Sequence, residues 1–254
     1  MNLLISLRGE LLKTKRTASI YLTIIAAAFG PLMTMLELLL DGFDGEDQAT
    51  ILEQLFTSKF QMTGLMIFPF FIMLICTLLP QIEYKNNAWK QVLTSPQTKA
   101  NVFMAKFINV QLLILVFLVA NQLLMFVGAV VLHVLHPALH VLNQPIDGKR
   151  VFAILVNNYA ALLAICCIQF WLGIRFRNFI VPLAVGFACW LAGTILGMNF
   201  PLGFAKYYPY AFHMYPNFSQ YKAVVPAIAW TSLGYSVLFL VLGYLDFRRR
   251  RMDT

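Results

Sequence analysis

Six stretches of the chain stay apolar for about 20 residues each, the length that carries an α-helix across ~30 Å of hydrocarbon. They run over Ala18–Leu40, Met62–Ile82, Phe107–Leu132, Val151–Ile174, Phe179–Met198 and Val224–Phe247. A chain of 254 residues crossed this often has no room for a sizeable soluble domain. With 60% hydrophobic and 12% charged residues, it also lacks the polar surface to solvate one. The expected fold class is all-α: a polytopic membrane protein with six transmembrane helices, whose even number of crossings puts both termini on one side.

The basic residues set the expected orientation. Of 19 Lys and Arg, fourteen fall on one side of this topology: Arg8, Lys13, Lys15, Arg16, Lys85, Lys90, Lys99, Lys106, Arg175, Arg177 and the run Arg248 to Arg251. Only Lys59, Lys149, Arg150, Lys206 and Lys222 fall on the other. The positive-inside rule then places both termini, the loop at 83–106 and the turn at Arg175–Arg177 in the cytoplasm. The formal charge of +8 is thereby a topology signal, scattered beside helix ends, with no basic face on a folded module that would read nucleic acid. Cys76, Cys166, Cys167 and Cys189 all lie inside apolar runs and read as small core residues rather than a disulfide or metal framework. The first apolar run follows a charged stretch and has no convincing cleavage site, so it is expected to remain as the first span.

Ahead of that span, Leu3, Leu4, Leu7, Leu11 and Leu12 recur at helical spacing, with Arg8, Lys13, Lys15 and Arg16 on the polar side. Residues 1–17 thus read as an interfacial amphipathic helix, the plainer alternative being a basic topology anchor. Between spans two and three, Glu83-Tyr84-Lys85 leads to Trp89-Lys90 and on through Leu93 to Pro96, a segment too long and too polar for a simple turn. Trp89 and Leu93, four apart and framed by Glu83, Lys85 and Lys90, would present an apolar knob in a charged rim if helical. The alternative is an interfacial loop with Trp89 among the headgroups.

These residues resemble a family, the permease subunits of type-2 ABC exporters, and within it the bacitracin-export and lantibiotic-immunity branch. The resemblance covers essentially the whole chain. It rests on Glu10-Leu11-Leu12-Lys13-Thr14-Lys15-Arg16 before the first span and on Glu83 through Pro96 followed by Lys106. Asn87-Ala88 stands where the family often has Gly-Thr. The resemblance implies a single permease domain over 1–254 and a coupling helix within 83–106 that docks on an ATP-binding subunit through Glu83, Tyr84, Lys85, Trp89, Lys90 and Leu93. It also implies a second permease copy or paralogue and a location in the bacterial cytoplasmic (inner) membrane. ATP and Mg would belong to the partner ATPase, with no cofactor in this chain. No GxxxxGK[ST] loop is present, and neither HExxH nor a rhomboid-like serine arrangement occurs, so the chain is expected not to be an enzyme.

An ion-coupled carrier or channel would normally place ionisable groups within the spans, and these are scarce. Glu37 lies near the outer end of span one, and Asp246 beside the terminal arginines. A membrane assembly subunit without transport activity is a third reading. His133, His136 and His140 could gather imidazoles, but Pro137 interrupts the helix and no further ligands complete a set, so they read as interfacial. Gly186, Gly193 and Gly197 share one face of span five, a face for close helix packing either within the subunit or across a dimer. Outside, Asp41, Asp44, Glu46 and Asp47 make an acidic loop. Pro201 through Pro216 gathers Tyr207, Tyr208, Tyr210, Phe212 and Tyr215, read as an interfacial aromatic belt or as a short re-entrant segment.

Overall fold

The computed structural model describes residues 3–15, 17–40, 42, 50–85, 89 and 97–249. All regular structure among them is helical. Helix α1 (Leu3–Lys15) precedes six helices long and apolar enough to cross a membrane: α2 (Ala18–Leu40), α3 (Ile51–Lys85), α4 (Lys99–Leu135), α5 (Gly148–Arg175), α6 (Ile180–Asn199) and α7 (Val225–Arg249). They alternate in direction. The bundle end that carries α1 is called proximal below and the opposite end distal.

Hydropathy located each span, but two helices run well past the apolar stretch. α3 starts at Ile51 rather than Met62, and α4 starts at Lys99 rather than Phe107. The inter-span segment expected over 83–106 is correspondingly shorter. Glu83 to Lys85 close α3, and Lys99 to Lys106 form the first two turns of α4. Apolar runs mark only what lies in hydrocarbon, whereas a helix continues until its backbone groups find other partners. At α4 that partner is Thr98, whose hydroxyl accepts the Asn101 N–H at 3.2 Å. At 37 residues α4 is about 55 Å long, so it overhangs the hydrocarbon. Asp147 caps α5 in the same way, accepting from the N–H groups of Lys149 and Arg150.

Prolines and small residues fix the packing of the spans. Pro31 has no N–H to give the Ala27 carbonyl one turn back, and Asn121 of α4 supplies it instead, Nδ2 donating at 2.9 Å. Pro80 likewise leaves the Cys76 carbonyl without its helical donor, and Gly173 of α5 lies so close that a Cβ there would overlap that oxygen. α3 is interrupted at Thr57–Lys59 and widens into a π turn at Thr63–Ile67, where Thr63 meets Gly30 of α2. Phe117 of α4 stacks between Phe68 and Phe71 at centroid distances of 5.1 and 4.5 Å. Ser232 of α7 bonds to the backbone of Ala160, Ala161 and Ala164, stitching α7 to α5. The outward faces are apolar, as with Tyr21, Ile25, Phe29 and Leu32 on α2, which suits a lipid surround.

The segment after α6 does not lie flat at the distal surface. It forms 3₁₀ turns over Phe204–Tyr207, Pro209–Asn217 and Ser219–Tyr221, and from Tyr210 to Tyr215 every residue is buried. The Tyr210 hydroxyl lies 3.1 Å from Gln169 Nε2, six residues before the proximal end of α5. This is the re-entrant alternative rather than an aromatic belt. Tyr207 is exposed, but Tyr210, Phe212 and Tyr215 fill the bundle interior.

Candidate functional site

The proximal end holds the densest group of charges inside the fold. Ser6, Glu10 and Thr14 recur every four residues along α1 and are buried against α4, while Leu3, Leu4, Ile5, Leu11 and Leu12 are exposed. The leucines therefore face outward, as an interfacial helix would turn them to lipid. The face that docks on the bundle is polar, a third face that the leucine spacing did not reveal. Lys15 is exposed, and Arg16 lies outside the described residues.

Four side chains close a ring. Lys106 Nζ lies 2.9 Å from Glu10 Oε2 and 2.5 Å from Glu83 Oε1, and Lys13 Nζ lies 2.8 Å from Glu10 Oε1 and 3.1 Å from Glu83 Oε1. Glu83 and Lys106 are 1% and 2% exposed, so their charges are sustainable only because they are paired. Burial alone would raise the Glu10 carboxyl, but Lys106 and Lys13 together outweigh it and hold it below its ordinary value. Burial would lower the Lys13 ammonium, and Glu10 with Glu83 reverses that and raises it. One turn along α4, Asn109 Nδ2 donates to Thr14 Oγ1 at 2.6 Å, extending the seam.

Trp89 covers this ring. Its indole is 4% exposed, with the Lys106 ammonium 5.4 Å from its ring centroid and the rings of Tyr84 and Phe247 at 5.2 and 5.8 Å. The Tyr84 hydroxyl donates to the Ile174 carbonyl of α5 at 2.5 Å. The expectation of Trp89 as a projecting knob with Glu83 in its rim is therefore corrected, since both are buried in their own chain. The cause is Lys106. An ammonium carried two turns into α4 must recruit carboxylates and an aromatic face, and these residues supply them. Lys85 is exposed in the last turn of α3, whereas Lys90 and Leu93 lie outside the described residues. Around the ring, Lys99 Nζ donates to the Arg248 carbonyl at 3.0 Å and Arg175 pairs with Asp246 at 2.6 Å, so every span but α2 and α6 is tied at this end by a named polar contact.

Gly186, Gly193 and Gly197 do share a face, and this chain occupies it. A Cβ on Gly193 would overlap the Tyr210 carbonyl oxygen, one on Gly197 the Met214 sulfur, and one on Gly186 the Gln169 amide. Of the two alternatives, the close packing is internal, against the re-entrant segment and α5. Deeper toward the distal end, Asn217 Nδ2 donates to Asn158 Oδ1 at 2.9 Å and to the His213 carbonyl at 2.8 Å, and Gln61 donates to the Asn217 carbonyl. The reading from residue patterns passed over Asn109, Asn121, Asn158 and Gln169. Their signal was isolation, single amides within otherwise apolar runs, where an unpaired polar group is costly. Among the described residues no group of three or more His, Cys, Asp or Glu is placed to hold a metal ion, and His136 and His140 are exposed.

A bundle of six spanning helices, a docked N-terminal helix and a charged ring at one end define a multi-pass membrane protein with a built proximal platform. A family model described as "ABC-2 family transporter protein" matches residues 6–193, from the buried face of α1 to Gly193, and the chain belongs to that family. Membership makes it a membrane permease subunit of an ABC transporter, a kind of chain that works with an ATP-binding subunit and is generally not catalytic itself. A comparison with curated proteins found no match.

Proposed function

We propose that this permease belongs to an ATP-driven exporter of the bacitracin-export and lantibiotic-immunity kind, seated in the bacterial cytoplasmic membrane with both termini inside. It would pair with a second permease copy or paralogue to enclose the path, while ATP and Mg act in the partner ATPase. The observation that carries this reading is the ring of Glu10, Lys13, Glu83 and Lys106. It joins α1, α3 and α4 at the end from which the 86–98 connection leaves. An ATPase bound to that connection and closing on ATP would act on the ends of α3 and α4 together, and through Lys106 on α1. A ligand shifts such an equilibrium only by binding one arrangement better than the other, and the ring keeps the three helices in one register while it does so. Coupling would then run through buried Trp89 and Glu83 as positioning residues, with Lys85, Lys90 and Leu93 proposed to supply the contacts to the ATPase.

The test is cross-linking in the complex reconstituted with its ATPase. Lys90→Cys and Leu93→Cys should cross-link to the ATPase, whereas Lys222→Cys at the distal end should not. In intact cells Asp44→Cys should react with an impermeant thiol reagent and Lys90→Cys should not. Cross-links from position 222, or outside labelling at position 90, would overturn the proposed orientation and coupling.

A further inference from the structure

At the distal end a cleft of about 300 Å³ opens between the start of α5, the break in α3 and the residues leading into α7. Its polar wall carries the cations Arg150 and Lys222, the hydroxyls of Ser58 and Ser219 and the amides of Gln61 and Asn157, and none of its lining residues is a carboxylate. Ile154, one turn from Arg150 on the same face of α5, and Val225 add apolar lining. Arg150 keeps one carboxylate partner outside the cleft, Glu53 at 2.5 Å, while Lys222 makes no ion pair with any described residue. Lys59, next in sequence to the lining residue Ser58, pairs with Glu37, and neither it nor Lys149 lines the cleft.

This donor set has a definite chemistry. An arginine fork, an ammonium and neutral hydroxyl and amide donors around a space without carboxylates match the oxygens of a phosphate group. The position adds a second constraint. Arg150 is the third residue of α5, about 3 Å from the helix start, where a spanning helix leaves hydrocarbon for the headgroup layer. Phe152 and Val156 of the same helix are exposed, so the cleft adjoins a surface suited to acyl chains.

We propose that this distal cleft binds the phosphate group of an amphiphile, with Arg150 and Lys222 on the phosphate and the apolar lining of Ile154 and Val225 beside the first carbons of its tail. A soluble phosphate offers the same oxygens without the tail, and the experiment separates the two.

The full chain, purified in detergent, is incubated with phosphatidylglycerol or phosphatidylcholine, and retained lipid is counted by native mass spectrometry with and without millimolar inorganic phosphate. Phosphatidylglycerol should be retained over phosphatidylcholine. Lys222→Gln, an exposed and unpaired position that tolerates the change, should weaken retention about tenfold, and adding Arg150→Gln should abolish it. Lys206→Gln, a basic residue of the same end that does not line the cleft, should leave retention unchanged. Inorganic phosphate should not displace the lipid. Retention unaffected by Lys222→Gln, or an equal loss with Lys206→Gln, would overturn the site. Displacement by inorganic phosphate alone would overturn the amphiphile and leave a site for the free anion.

Discussion

Two segments that do not span the bundle are fastened to it in opposite ways. α1 is held at the proximal end by ions and hydrogen bonds, and the re-entrant turns at 209–217 are packed along α6 by the Tyr210 backbone against Gly193 and the Met214 side chain against Gly197. The first seam is directional and strong only while complete, because each buried charge relies on its partner. The second depends mainly on shape along α6, where there is no space to gain, and its neutral hydrogen bonds, Tyr210 with Gln169 and Asn217 with Asn158, run to α5. A segment that must stay in register with moving helices gains from the first kind. A plug that must stay seated gains from the second.

The largest effect should come from the charged seam. Lys106→Ala strands Glu83 and Glu10 with only the half-exposed Lys13, and the loss of a buried partner commonly costs about 3–5 kcal/mol. The variant's melting temperature in detergent should fall steeply, while Lys106→Arg, which keeps the charge and the donors, should restore most of it. An alanine variant as stable as the parent would remove the contrast. Next comes Gly193→Ala, where one methyl group collides with the Tyr210 carbonyl, a strain of about 1–3 kcal/mol that no larger residue can relieve. Its signature is loss of stability with oligomeric state unchanged. Dissociation of a stable dimer without destabilisation would instead place the glycine face between subunits.

The smallest effect separates the seams by pH. The Glu10 carboxyl is held below its ordinary value of 4.5, so its contribution is full above that value and is lost as pH falls through the lowered one. The Lys13 ammonium is raised above 10.5, so its contribution is full below that value and is lost only as pH rises through the raised one. Stability against pH should therefore show an acid step in the parent that is absent in Glu10→Gln, while Gly193→Ala leaves the step in place. An acid step retained in Glu10→Gln would assign it to another carboxylate.

The spans were legible because crossing a bilayer demands a long apolar run, and nothing in their neighbours alters that demand. What faces what was much less legible. Leucine spacing on α1 defined an apolar face, but in lipid the apolar face is the outer one, so the buried contact fell to Ser6, Glu10 and Thr14. Trp89 looked like a docking knob because its local neighbours are charged, and its real determinant, Lys106, lies seventeen positions on. The glycine face of α6 was readable as a face. Its partner was not, because a 3₁₀ segment with prolines at 209 and 216 carries no helical or strand period to announce that it is buried.

The bond from Asn121 to the Ala27 carbonyl has a consequence for how the protein is made. α2 leaves the ribosome with a carbonyl that Pro31 cannot satisfy, and its donor lies 94 residues later in the chain. At about 5–20 residues per second that residue is synthesised about 5–20 s afterwards. The first span therefore spends its early life in the membrane with an open hydrogen-bonding site on its backbone, and it is complete only when the third span arrives beside it. Such a helix has reason to linger near the insertion machinery, or near water, instead of diffusing freely into lipid. The pairing of α2 with α4 becomes the step that releases it.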